Sequence, residues 1–309
     1  MNLSAVTGTN TLIKIIKLRH ATSKETSRHA VRGAGGRHSM DKWDPEDYHK
    51  HSYPQYAFAL GLVERLRLLG NERILDIGCG DGKITAELAA RVSRGSVLGI
   101  DASADMIAFA QNMFPPSVHT NLSFRYGDAA KLTFNQEFDV IVSFACLHCT
   151  EDLATVLQGI KQSLAPGGRF AAQLMVKRLT TKERSGSPLH QARREVMNRP
   201  AWRAYFRGFK KQGTVYRADQ YERVMCEAGF TPCRVEFVAQ DVTHPGTDAL
   251  KGCARATWHR YTSRIPAKHR DAFLDEVVQR FTELYPPDRD GQIHIRMNIL
   301  EIEATVTGK

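Results

Sequence analysis

The sequence predicts an α/β protein built on a doubly wound, seven-stranded sheet, with an inserted and mainly helical cap. Two patterns predict this fold class. Short apolar strands alternate with helices between residues 55 and 176, and this alternation indicates a mostly parallel sheet covered on both faces. After residue 176 the alternation breaks, and residues 177–213 are basic, polar and locally aromatic, which indicates an insertion outside the sheet.

Hydrophobic spacing predicts the elements of the first half of the chain. They are helix 55–69, strand 73–77, helix 83–92, strand 96–101, helix 104–113, strands 122–126 and 138–144, helix 151–164 and strand 169–176. The last of these helices is expected to end at Ala165-Pro166-Gly167-Gly168, because proline lacks a backbone donor and glycine tolerates the turn.

The second half is predicted in less detail. The elements are helix 219–228, strand 234–240, two helices within 247–285, of which the second is 266–284, and a final strand 293–306. We assign the cap to residues 177–218 and 247–285.

The positive charge of the chain is concentrated at its amino-terminal end. Residues 1–40 contain seven lysines and arginines against the single acid Glu25, which is more than half of the net charge of +10. The modest surplus elsewhere is typical of a solvated surface, whereas a nucleic-acid face concentrates basic residues in one patch. No apolar run approaches the roughly 20 residues of a membrane-spanning helix. We therefore expect neither a nucleic-acid partner nor a membrane partner.

Residues 1–39 are expected to form a disordered leader outside the folded domain, which we place at 40–309. They are rich in Ser, Thr, Gly and basic residues, as transit peptides are. The alternatives are a disordered tail and a start codon placed upstream of Met40; the second is favoured. Six cysteines in 309 residues do not suggest a secreted disulfide framework. We expect a cytoplasmic protein, or a mitochondrial one if the leader is a transit peptide.

The sharpest motif is the loop Asp76-Ile77-Gly78-Cys79-Gly80-Asp81-Gly82, between a strand and a helix. Its glycines allow the backbone to approach a ligand closely, and the following helix presents free N–H groups and a positive dipole end. The next strand ends in Asp101, where a carboxylate can accept hydrogen bonds from ribose hydroxyls. The pattern predicts a cofactor that contains a nucleoside.

Three details argue against a nicotinamide dinucleotide. Its fingerprint has Gly or Ala where this chain has Lys83. Asp76 is poorly suited to a pyrophosphate and well suited to a ligand with an ammonium group. After the third strand, Gly127-Asp128-Ala129 places another acid at the carboxyl edge of the sheet, where it could accept a hydrogen bond from an adenine amino group.

As a set, these motifs resemble those of the Rossmann-like class I S-adenosylmethionine-dependent methyltransferases. The set also includes Phe138-Asp139 and Leu164-Ala165-Pro166-Gly167-Gly168, and the resemblance covers residues 43–176. It implies an antiparallel last strand, a cofactor-binding core at 70–176, and S-adenosylmethionine as the cofactor.

The resemblance also implies which residues bind the cofactor. They are Asp76, Gly78, Cys79, Gly80 and Asp81 at the methionine end, Asp101 at the ribose, Ala102, Met106, Asp128 and Ala129 at the adenine, and Phe144 at the floor. The alternatives are that Met106 and Phe144 are core residues and that Asp128 only forms a turn.

A closer resemblance is to the trans-aconitate and juvenile-hormone-acid methyltransferase branch, whose members methylate carboxylates. It is carried by Trp43-Asp44-Pro45 with Tyr48 and by Ser143-Phe144-Ala145-Cys146-Leu147-His148. This chain has Cys149 where the branch usually has Trp. We expect the acceptor, a small acid methylated on oxygen, to contact the leading helix and the cap. The candidates are Trp43, Tyr48, Gln55, Cys149, Trp202, Arg203, Tyr205 and Arg207.

His148 is the candidate catalytic residue, because it follows strand four at the edge where such sheets bind ligands. A carboxylate acceptor is ionised at pH 7 and needs no base, whereas a hydroxyl or amine needs one. The alternative is a structural histidine. Cys146 and Cys149 have metal-like spacing but lack the further ligands of a zinc site, so we expect no metal.

Two other functions stay open. The chain could methylate carbon, nitrogen or oxygen of a non-carboxylate metabolite, or it could bind the cofactor without catalysis. In each case we expect a monomer or homodimer.

Overall fold

The computed structural model describes residues 43–174, 188–209 and 218–306, which all belong to one unit spanning residues 40–309. The leader predicted at residues 1–39 and the cap segments 177–187 and 210–217 lie outside the described residues. None of the helices in the described ranges combines the length and the apolar character that crossing a membrane requires.

Seven strands of the described chain form a single sheet. They are β1 (Arg73–Ile77), β2 (Ser96–Asp101), β3 (Leu122–Tyr126), β4 (Phe138–Phe144), β5 (Leu164–Leu174), β6 (Thr231–Pro245) and β7 (Gln292–Thr305). Their order is β3-β2-β1-β4-β5-β7-β6. Strands β1 to β5 are parallel, and β7 is antiparallel to β5 and β6. The predicted doubly wound sheet with an antiparallel last strand is confirmed.

Ten α-helices surround this sheet in the described residues. They are α1 (Pro45–His51), α2 (Tyr53–Arg65), α3 (Lys83–Arg91), α4 (Ala104–Met113), α5 (Leu153–Ser163), α6 (Pro188–Met197), α7 (Ala218–Glu227), α8 (Thr247–Thr257), α9 (His259–Thr262) and α10 (Ala267–Leu284). Single 3₁₀ turns follow β3 at Ala129–Lys131 and β4 at Leu147–Cys149.

Alternating side chains of the central strands pack into two separate apolar cores, one on each face of the sheet. Ile74 of β1 packs with α2 and α3 on one face, while Leu75 packs with α5 and α7 on the other. In β4, Val140 and Ile141 divide in the same way. The near-continuous hydrophobicity of these strands therefore has the predicted cause, which is burial on both faces.

The cap has a core of its own, carried by an extension of the sheet. Strands β6 and β7 pair along their whole lengths, from Thr231 to Pro245, whereas β5 pairs only with the carboxyl-terminal half of β7. The free half of this ribbon packs with α6, α8 and α10. It thus anchors the mainly helical cap.

Several predicted boundaries were wrong. The first helix was predicted over 55–69, but α2 ends at Arg65, since Arg67 has a φ of +46° that is incompatible with a helix. Strand β5 begins at Leu164 and not at 169, and β6 covers 231–245 and not 234–240. The segment 247–285 forms three helices instead of two, and α1 was not predicted.

Candidate functional site

The glycine loop lies between β1 and α3, at the point where the strand order reverses. Its first part folds back onto β2, because the N–H groups of Gly78 and Cys79 both donate to the carbonyl of Ile100, at 2.8 and 3.0 Å. Gly78 and Gly80 have φ values of +79° and +53°, a region that side chains disfavour. Ligands of open parallel sheets bind at this switch point.

Asp101, at the end of β2, holds this loop in place. Its two carboxylate oxygens accept hydrogen bonds from the backbone N–H groups of Gly80, at 3.0 Å, and Ser103, at 2.8 Å. Burial raises the pKa of the Asp101 carboxyl, and the two hydrogen bonds oppose that rise. The sequence predicted a ribose contact but not this positioning role. Each oxygen keeps a lone pair, so both roles are compatible.

Asp76 is a buried carboxylate at the start of the glycine loop. It is 1 % exposed, and Thr85 Oγ1 donates to its Oδ2 at 2.7 Å. Its buried Oδ1 has no hydrogen-bond partner among the described residues. Burial raises the pKa of this carboxyl to about 7, and the charge of Asp101 adds to the effect. An ammonium group in the loop would supply the missing partner, so Asp76 fits the methionine end of S-adenosylmethionine.

Asp81 connects the loop to helix α1. It is 5 % exposed, and its Oδ2 lies 2.9 Å from His49 Nδ1 and 3.3 Å from Lys83 Nζ. Lys83 also donates to the backbone carbonyl of His49. The sequence predicted a cofactor contact for Asp81. The structure adds a second role, because this carboxylate holds α1 beside the loop.

Tyr48 of α1 lies directly over the glycine loop. A Cβ built on Gly80 would be 3.6 Å from Tyr48 Cε1. Burial, together with the charges of Asp81 and Asp101, raises the pKa of Tyr48, so its hydroxyl stays protonated and can donate. Trp43 packs edge-on against Tyr48, with ring centroids 5.7 Å apart. The structure therefore places Trp43 and Tyr48, two of the residues predicted to contact the acceptor, at the glycine loop.

The residues predicted at the adenine lie along β2, α4 and the turn after β3. Met106 is buried, while Ala102 is exposed and Ala129 is partly buried. Asp128 Oδ1 accepts a hydrogen bond from the N–H of Ala130 at 2.9 Å, which is a turn-forming contact. Phe144 is a buried member of the core. These placements fit the core and turn alternatives too, so the contacts stay predictions.

The segment after β4 leaves the sheet through a strained residue. Ala145 has a φ of +51°, and its N–H donates to the carbonyl of Gln173 at 2.9 Å. Non-glycine residues in this region often accompany functional sites. Cys146 then lies against the loop, since a Cβ on Gly78 would fall 2.3 Å from its Sγ. His148 follows, partly buried, in the 3₁₀ turn.

The other predicted acceptor residues are spread over the site and the cap. Gln55 is partly buried, and its Oε1 finds no partner in the described ranges. Cys149 is exposed and lies in the same 3₁₀ turn as His148. Trp202 belongs to the cap core, where its ring centroid lies 5.4 Å from that of Phe273. Tyr205 is partly buried.

Arg203 and Arg207, the cations predicted for the acceptor, are exposed. Arg203 lines a surface cavity of about 240 Å³ together with Arg194, Met197, Asn198, Phe206 and Phe209. Across the part of the chain that the structure describes, no group of three His, Cys, Asp or Glu residues is arranged to hold a metal ion.

Comparison of the sequence with known proteins finds a matching family and similar relatives. The family described as a methyltransferase domain matches residues 68–222. The trans-aconitate 2-methyltransferase of Streptomyces coelicolor is 30% identical over 259 residues, which cover 81% of this chain and 82% of the relative. The enzyme of the same name from Methylobacterium nodulans is 27% identical over 258 residues, covering 82% and 94%.

A solved structure shows the same fold. The YcgJ protein from Bacillus subtilis superposes with a TM-score of 0.56 at 15% identity, covering 82% of this chain and all of that one.

Proposed function

Because the chain belongs to the methyltransferase-domain family, we propose that it transfers the methyl group of S-adenosylmethionine to a carboxylate oxygen of a small acid. The buried, unpartnered Oδ1 of Asp76 carries the cofactor assignment, because it needs a cationic partner beside the glycine loop. The acceptor class is supported by the relatives named trans-aconitate 2-methyltransferase. We also propose a monomer or homodimer that works in the cytoplasm without a nucleic-acid partner.

The residues of the site have separable tasks in this reaction. Asp76 would bind the ammonium group of the cofactor, and Asp101 would bind its ribose while holding Gly80 in place. Tyr48 covers the loop and would exclude water, which strengthens the electrostatic interactions inside. The bound sulfonium supplies an electrophilic methyl group with its own leaving group. Alignment of the two reactants is then the main task of the protein.

A carboxylate acceptor needs no deprotonation at neutral pH. His148 would then only position the acid, from the turn that follows the strained Ala145. A second candidate function uses His148 as a general base for a hydroxyl or amine acceptor. This candidate is supported by the position of His148, two residues after Cys146, which contacts the glycine loop.

The test is methyl transfer from methyl-labelled S-adenosylmethionine to trans-aconitate, decanoate and a simple phenol. We expect a labelled product from one of the acids that loses its label as methanol in mild base, because esters hydrolyse under these conditions. His148→Ala should lower kcat for the acid less than about tenfold, whereas loss of a general base costs about 10²–10⁴. A base-stable product made only from the phenol would contradict the proposal.

A further inference from the structure

Helix α6 places a cation on its buried face. Leu189, Ala192, Arg193 and Val196 are its buried residues, and they follow the spacing of a single helical stripe. Three of them are members of the apolar core of the cap. Arg193 is 7 % exposed, although arginine is rarely buried unless it is paired.

Among the described residues, the surroundings of Arg193 are aromatic and contain no compensating charge. Its guanidinium carbon lies 3.7 Å from the ring centroid of Tyr261 and 4.6 Å from that of Trp258. Its Nη2 donates to the Tyr261 hydroxyl at 2.9 Å. The buried Nε has no acceptor within the described residues. In the same residues, no ion pair joins Arg193 to a carboxylate.

Within the described ranges, the hydrogen-bonding and charge requirements of Arg193 are only partly met. Burial lowers the pKa of Arg193 to about 10, which still leaves it charged at neutral pH. Stacking on aromatic rings recovers part of the desolvation cost, but a buried charge normally also needs a charged partner. Arg65 and Arg234, which are less buried, both pair with Glu301. Arg193 differs from them because the described residues give it no anionic partner.

Helix α9 contacts both Arg193 and an aromatic residue close to the glycine loop. Tyr261, which stacks on Arg193, lies in α9 together with His259. The ring centroid of His259 is 5.8 Å from that of Trp43, and Trp43 packs on Tyr48, the residue that covers Gly80. Helix α9 therefore contacts Trp43 through His259 and Arg193 through Tyr261.

We infer that Arg193 binds a carboxylate of the acceptor, in the aromatic enclosure formed by Trp258 and Tyr261. This inference rests on the proposed function and names the residue that selects an acid. The planar guanidinium can donate from Nε and a terminal nitrogen to both oxygens of one carboxylate. Its buried position makes it better suited to this task than the exposed Arg203 and Arg207.

The test compares Arg193→Met and Arg193→Lys with Arg223→Met, a matched control on the exposed surface of α7. The probes are trans-aconitate as acceptor and S-adenosylhomocysteine as cofactor ligand. If trans-aconitate is not turned over, the acid that is methylated replaces it. We expect Arg193→Met to raise KM for the acid about 30-fold or more, as loss of a buried charge partner does. The Kd of S-adenosylhomocysteine should stay within about twofold in all variants.

The two proposals fail in different ways. Methylation of an acid by the wild type with an unchanged KM in Arg193→Met would overturn the role of Arg193 and leave the proposed function intact. Equal losses of acid and S-adenosylhomocysteine binding would indicate a structural role and also overturn it. Arg193→Lys keeps the charge but not the planar pair of donors, so it should show an intermediate KM, and it serves as the test if the Met variant does not fold. Methylation of non-acids alone would overturn the proposed function itself.

Discussion

Asp76 shows how a single residue links stability to ligand binding. Its raised pKa, about 7 against an ordinary value near 3.9, means that the folded protein retains a proton that the unfolded chain has lost. The contribution of Asp76 to the free energy of unfolding therefore falls as pH rises from about 4 to about 7, and stays low above that. A cationic ligand beside Asp76 would remove this penalty.

We therefore expect the melting temperature of Asp76→Asn to fall less than that of the wild type when the pH is raised from 5 to 8 without ligand. The amide still accepts the hydrogen bond from Thr85 but has no charge to bury. The same variant should bind S-adenosylhomocysteine about 10- to 100-fold more weakly, since hydrogen bonds to charged groups contribute about 1.5–3 kcal/mol. Melting curves at four pH values and calorimetry measure the two effects. Identical pH dependence in both proteins would contradict the explanation.

At the level of single residues, the sequence predicts where a residue lies in the fold better than it predicts which groups that residue contacts. The glycines and Asp76 could be located because their spacing between a strand and a helix is a local property. The second roles of Asp101 and Asp81 could not, because both depend on how the loop folds onto neighbouring elements. Arg193 was missed for a related reason. Its signal is a charge on an otherwise apolar helical stripe, and the rings that surround it come from distant parts of the chain.

Helix α1 is an element held by polar contacts. Its seven residues are exposed or partly buried, and none is fully buried. Asp47 accepts two hydrogen bonds from the Arg255 guanidinium of α8, one of them from Nε at 3.0 Å, and His51 Nδ1 lies 3.1 Å from the same carboxylate. His49 meets Asp81 of the loop. Tyr48 is therefore positioned by a network that ionic strength can weaken.

Breaking the contact between α1 and α8 should loosen the cover over the loop without unfolding the protein. We expect Asp47→Arg to weaken binding of S-adenosylhomocysteine about fivefold or more at low salt, and to change the melting temperature little. Combining it with Arg255→Asp should restore most of the affinity, because the pair is re-formed with the charges exchanged. Glu46→Arg, at an exposed neighbouring position, is the control. Calorimetry at 50 and 500 mM salt measures the effect, and no difference between Asp47→Arg and the control would refute it.

The same helix shows the limits of prediction at the level of elements. The long amphipathic helices and the buried strands follow from hydrophobic period, and β1 to β4 were predicted with the observed boundaries. Helix α1 has no apolar period to detect, because it buries no residue; only the Asp44 cap and Pro45 at its first turn mark it. Strand β6 was predicted too short because its outer part packs against the cap, away from the main sheet core.

At the scale of the whole molecule, most of the net charge and the buried apolar residues lie in different parts of the sequence. More than half of the net charge of +10 lies in residues 1–40. The three apolar cores of the described chain draw their buried members from residues 58–306. Stability arises mainly from burial of apolar surface, so the leader and the folded domain should be separable.

A chain that starts at Met40 should therefore keep the melting temperature of the full chain to within about 2 °C, which for a domain of this size is less than about 1 kcal/mol. Its affinity for S-adenosylhomocysteine should also be unchanged, because Trp43 and Tyr48 are retained. A chain that starts at Tyr53 is the informative comparison. It lacks α1, so it should lose much of the affinity while keeping most of the stability, since α1 contributes no residue to the three apolar cores. Thermal melts and calorimetry on the three chains separate these outcomes. A drop of more than about 5 °C on removing residues 1–39 would show that the leader is part of the folded structure.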